Sequence, residues 1–182
     1  MTKPLQRIST RRIAETALFT ALTATAGFIR IPLYPVPVTL QTFVVYLSGG
    51  FLGPRFGPAS QILFLILGLA GLPVFTGGGG ISYALQPSFG YLVSFPLGSW
   101  IVGRFENRNS RLRTLGYALS VMTILAVGAM VLYANLRWIG GRAMSPVWIL
   151  ISGILLFLPG EIIKAGAAFW FSGRVRRVMR HA

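Results

Sequence analysis

Two ionisable side chains, Glu161 and Lys164, stand three residues apart inside Phe157-Leu158-Pro159-Gly160-Glu161-Ile162-Ile163-Lys164, one of the most apolar stretches of a 182-residue chain. A charged group at the centre of a bilayer-spanning helix costs roughly 2.5 to 3.5 kcal/mol on insertion scales, so such groups face the protein interior, pair, and mark a pathway or ligand site. A carboxylate accepts hydrogen bonds and an ammonium donates them. Side by side in a dry site, they can hold a polar ligand through charge-assisted bonds. The same pair is also readable as an internal ion pair that only orients its helix.

Other chemistry is scarce. The acidic residues are Glu15, Glu106 and Glu161, the single histidine is His181 beside the C-terminal residue, and there is no cysteine. That composition excludes a paired-carboxylate site within the bilayer, a histidine-based triad or zinc centre, and any cysteine nucleophile, disulfide or metal site. We therefore expect no catalytic residue, no metal and no cofactor. A Ser/Lys intramembrane enzyme built on Lys164 is the competing reading.

The elements that position the pair follow from local chemistry. Pro159 suits the first turn of a helix, where its missing N–H has no partner in any case. Glu161 then falls where the helix dipole favours an anion, and Lys164 shares its face with Ala165 and Ala168. Far upstream, Ile31-Pro32-Leu33-Tyr34-Pro35-Val36-Pro37-Val38-Thr39-Leu40-Gln41 carries three prolines in six residues and reads as extended backbone. It is either a cover for a cavity, offering Thr39 and Gln41 to a ligand, or a rigid connector. The stretch Gly71 to Gly80 is too glycine-rich to be helical and lacks the lysine of a nucleotide-binding loop.

With 54% hydrophobic and 11% charged residues, the chain reads as one polytopic, all-α membrane domain. Spans are predicted at about 13–30, 39–53, 58–72, 88–103, 115–136 and 159–175, with a short helix or half-span at about 144–157 leading into a break at Pro159. The formal charge of +14 belongs to residues flanking these spans, which argues for a bilayer rather than nucleic acid. Six spans with both termini cytoplasmic put thirteen basic residues inside and three, Arg30, Arg137 and Arg142, outside. In span 1, Ala17 and Ala21 form a small-xxx-small pair fit for close helix approach, within the bundle or against a partner. Under this topology, the proline loop, the glycine loop and the Glu161/Lys164 pair all lie toward the outer face.

Four motifs occur in order: Pro-Val-Pro-Val-Thr-Leu-Gln (35 to 41), Gly-Leu-Pro-Val-Phe (71 to 75) with its glycine run, Gln-Pro-Ser-Phe-Gly-Tyr (86 to 91) and Phe-Leu-Pro-Gly-Glu-Ile-Ile-Lys (157 to 164). Together they closely resemble the BioY family, the biotin-binding S components of energy-coupling-factor (ECF) vitamin transporters. The chain departs from that pattern in having Glu161 where aspartate is usual and Gln86 where glycine is common.

The resemblance implies a six-helix S-component-like bundle in the cytoplasmic membrane, with an outward-facing biotin pocket capped by the first loop. It implies a substrate site drawn from Glu161, Lys164, Thr39, Gln41, Gln86 and Tyr91, with Phe75 against the ring system. It also implies a transmembrane coupling protein and a pair of ATPases as partners, docking on the Ala17/Ala21 face, with ATP used by those partners alone.

Overall fold

The computed structural model describes residues 9–141 and 144–181, with side chains as far as residue 176. Lys3, Arg7, Arg142 and the side chains of Arg177, Arg180 and His181 therefore lie outside the described residues. The chain is mostly helical. Helix α1 spans Thr10–Ala26, α2 Gln41–Leu69, α3 Phe89–Phe105, α4 Ser110–Ala134, α5 Pro146–Leu150 and α6 Leu158–His181. Among the described residues, three stretches are long and apolar enough to cross a membrane, namely Gln41–Leu69, Ser110–Ile139 and Pro146–Arg176.

Helix α2 is folded back on itself. Gly53 has φ +74° and ψ −172°, a left-handed conformation that a side chain would strain, and Pro54 follows it as the opening residue of a new helical arm. The arms 41–52 and 54–69 run antiparallel, because Gln61 Nε2 donates to Ser48 Oγ at 3.2 Å. A straight helix would hold those two residues about 20 Å apart. Arg55 stands exposed at the tip of this hairpin.

Small residues let the hairpin approach α3 at backbone distance. A Cβ on Gly49 would lie 2.4 Å from the Ser99 carbonyl oxygen, and one on Gly103 would lie 2.6 Å from the Gly53 carbonyl carbon. Where apolar surroundings provide no hydrophobic drive between helices, this close packing and the buried Ser48–Ser99 hydroxyl contact at 2.8 Å hold the pair together. Helix α1 leans on the hairpin in the same manner. Its Thr20 hydroxyl reaches the Ser60 carbonyl at 2.9 Å, and its Thr23 meets the Gln61 amide.

Two departures from helix matter for the site. The proline-rich segment after α1 forms a small antiparallel ribbon, β1 (Arg30–Ile31) and β2 (Val38–Thr39), with Arg30 opposite Thr39 and Ile31 opposite Val38. At the expected break, α6 begins at Leu158 after a two-residue turn at 156–157. A π-helical turn at Ile151–Leu155, in which Leu156 N reaches back five residues to the Ile151 carbonyl at 3.0 Å, widens the helix just ahead of Pro159. Pro159 then sits in the first turn of α6, where the missing N–H costs nothing.

The charged groups sort to the two ends. At one end Arg12 stacks over Phe56 near the hairpin tip, and buried Glu106 pairs with Arg113 and Arg176. At the other end lie the β ribbon, the glycine loop and the first turn of α6.

Candidate ligand site

Glu161 is 3% exposed, and every oxygen of its carboxylate has a donor. Oε1 accepts from the Thr42 hydroxyl at 2.9 Å and from Lys164 Nζ, while Oε2 accepts from the Tyr46 hydroxyl at 2.6 Å. Thr42 and Tyr46 are one turn apart on the first arm of α2, so a single helical face meets the acid from below. Lys164 Nζ also donates to Thr42 Oγ1 at 2.6 Å and to the Thr39 carbonyl at 3.0 Å. Its three N–H groups thus match three acceptors. The pair is internally neutral, which is what makes two charges tolerable at this depth.

Above the acid lies a small cavity of about 40 Å³. Its floor and walls are mainly apolar, from Leu92 and Phe95 on α3, Ile124 and Leu125 on α4, and Phe157. Polar groups reach it from Glu161, Thr39, Gln41, Thr42, Thr76 and Ser88, and Val36 and Pro37 of the ribbon close it over. An apolar chamber with a few convergent polar groups is the general form of a small-molecule site. The proline loop, the glycine loop and the charged pair, spread over more than a hundred residues of chain, meet in this one place.

The sequence-predicted residues are distributed unevenly around it. Glu161, Thr39, Gln41 and Tyr91 line the cavity. Lys164 stands directly behind Glu161, held by it. Gln41 is also a brace, its amide donating to the Thr23 carbonyl of α1 at 3.3 Å while its backbone N–H bonds Thr39 Oγ1. Tyr91 contributes its ring, stacked on Phe157 at 5.6 Å, whereas its hydroxyl is committed to the Gly153 carbonyl at 2.7 Å.

Phe75 does not line the cavity. It is buried on Gly68, between the rings of Phe64 and Tyr83, and so supports the glycine loop from beneath. Gln86 has an exposed side chain outside the cavity, and its backbone closes turns with Tyr83 and Phe89. Its neighbour Ser88 takes the inward position instead, in a hydroxyl chain that runs from Thr76 through Tyr83. Ala17 and Ala21 are exposed on α1.

Thr42, Tyr46, Thr76 and Ser88 escaped the sequence reading. The four-residue spacing of Thr42 and Tyr46 in an otherwise apolar segment was an available signal. For Thr76 and Ser88 there was none, because loop residues acquire neighbours only through the fold.

A family model described as the BioY family matches residues 1–181. The chain is 37% identical to the probable biotin transporter BioY of Lysinibacillus sphaericus, over 98% of this chain and 93% of that protein. It is 35% identical to the probable biotin transporter BioY of Pyrococcus horikoshii, over 91% of this chain and 96% of that protein. Among solved structures, it superposes on the crystal structure of the S-component for biotin from an ECF-type ABC transporter with a TM-score of 0.69 and 29% identity, over 97% of this chain and 95% of that one. From the first residues to the last helix, this chain belongs to the BioY family.

Proposed function

We infer that this chain takes up biotin as the substrate-binding S component of an ECF-type vitamin transporter, and that it is not an enzyme. The observation that carries the reading to the level of residues is the Glu161–Lys164 pair facing an apolar chamber roofed by the β ribbon. Biotin has a ureido group with two N–H donors and one carbonyl, an apolar ring and a carboxylate on an aliphatic tail. Glu161 accepts from a ureido N–H, and Lys164 holds that carboxylate in place. Phe157, Phe95 and the Tyr91 ring enclose the apolar ring, with Thr39 and Gln41 shaping the entrance.

The Ser/Lys alternative has no support at Lys164, whose hydrogen-bond partners among the described residues are Thr39, Thr42 and Glu161. Biotin binding needs no metal or cofactor in this chain. The chain carries no phosphate-binding glycine-lysine loop, so ATP is used by partner ATPases.

The finer arrangement is six spans in the cytoplasmic membrane with both termini inside. The sorting of basic residues to the Glu106 end favours it. The arms of α2, at about 18 and 24 Å, are shorter than the roughly 30 Å hydrocarbon core, and cross where the bilayer thins or the arms tilt. The exposed Ala17/Ala21 face is the docking surface for the transmembrane coupling protein.

The test is ligand identification by mass spectrometry after mild purification, followed by equilibrium binding. Biotin should co-purify and rebind to the stripped chain. A chain that binds no biotin under either condition removes the reading.

A further inference from the structure

The charge balance inside the cavity leaves the ligand's tail unaccounted for. Lys164 spends its three donors on Glu161, Thr42 and the Thr39 carbonyl, and its charge is already cancelled by Glu161. A carboxylate brought beside that pair would be a third charge with no counter-ion, which a low-dielectric site penalises heavily. The anion must therefore be met elsewhere.

We propose that Arg30 is the group that receives the carboxylate of the ligand, at the mouth of the cavity; this rests on biotin being the substrate. Three observations place it there. Arg30 is the direct cross-strand partner of cavity-lining Thr39, and opposite residues of an antiparallel pair project from the same face of the ribbon. Its guanidinium bridges the ribbon to the glycine loop, donating from Nη1 to the carbonyl of Thr76, itself a lining residue. That bond engages a single N–H of the five that a guanidinium carries, and the fork geometry of the rest suits a carboxylate.

Arg137, the other described arginine toward this end, gives its Nη1 donor to the Tyr133 hydroxyl one turn back in its own helix. The result is a division of labour along the ligand. The neutral ring system meets the neutral ion pair in the interior, and the charged tail meets a solvent-accessible cation at the rim, where desolvation is cheapest.

The experiment compares biotin with biotinamide, which has the same rings and an uncharged tail, by titration calorimetry on the full chain in lipid nanodiscs. The wild-type chain should prefer biotin by tenfold or more, and the preference should shrink as salt is raised. Arg30→Gln should weaken biotin by tenfold or more and leave biotinamide unchanged, and Arg30→Lys should recover part of the preference. Equal weakening of both ligands would make Arg30 a strap for the loops only and overturn the proposal. So would a preference that survives Arg30→Gln and disappears in Lys164→Met, since that hands the carboxylate to Lys164. Wild-type chain that binds neither compound overturns the substrate reading and this inference with it.

Discussion

The hydroxyl of Tyr46 donates to Glu161 Oε2 at 2.6 Å from a ring with no solvent exposure. Among the described residues Tyr46 is the donor to Oε2, whereas Lys164 and Thr42 donate to Oε1, so the orientation of the carboxylate depends on both sides. We expect Tyr46→Phe to retain the fold, because the ring still fills its place against Tyr117. A hydrogen bond to a charged group contributes about 1.5 to 3 kcal/mol, so the variant should show a lower thermal midpoint and biotin affinity weaker by about tenfold, read by thermal unfolding and calorimetry. Unchanged affinity would remove Tyr46 from the support of the site.

The ion pair itself should respond asymmetrically. Glu161→Gln and Lys164→Met are each expected to weaken biotin binding at least tenfold, or 1.4 kcal/mol. For stability, Lys164→Met leaves a buried carboxylate without its counter-charge, a change that costs about 3 to 5 kcal/mol in buried pairs. The double variant should therefore be more stable than Lys164→Met alone. A double-mutant cycle of thermal stability checks this, and simple additivity would mean that the two charges do not interact.

On α1, Ala21→Leu adds bulk at an exposed position. Biotin binding by the purified chain should stay within about twofold, which is under half a kcal/mol, while uptake of labelled biotin by cells is lost. Loss of binding as well would mean that this face packs within the protein.

Packing between the hairpin and α3 gives a prediction independent of ligand. Gly49→Ala sets a methyl group 2.4 Å from the Ser99 carbonyl, a backbone atom that cannot rotate away. Forced overpacking of this kind costs typically about 1 to 3 kcal/mol, and the thermal midpoint should fall accordingly. Gly160→Ala, where an added Cβ meets nothing within 4 Å, is the control expected to leave the midpoint unchanged.

Local chemistry was enough to mark several features in the sequence. Pro159 at a helix start, Glu161 in that first turn and Lys164 on the same face follow from helix geometry alone, and the basic residues between apolar segments follow from the cost of charge in lipid. The extended course of the proline segment follows from the restricted φ of proline. The order of four motifs was sufficient to point to a family.

What the sequence could not carry was any relation set by long-range packing. Nothing local says that Thr42 and Tyr46, more than a hundred residues from Glu161, hold its two oxygens, or that the hairpin turns at Gly53 rather than at either proline nearby. Phe75 and Gln86 were legible as residue types but not as directions. A side chain in a loop points where the fold of its neighbours leaves room, and here Gly68 opened a slot for Phe75 while Ser88 turned inward in place of Gln86. The sequence by itself determined which segments are apolar and which two charges need each other. Only the tertiary structure decided which groups satisfy those charges, because hydrogen bonds between distant segments depend on how helices pack, and packing is a property of the whole chain at once.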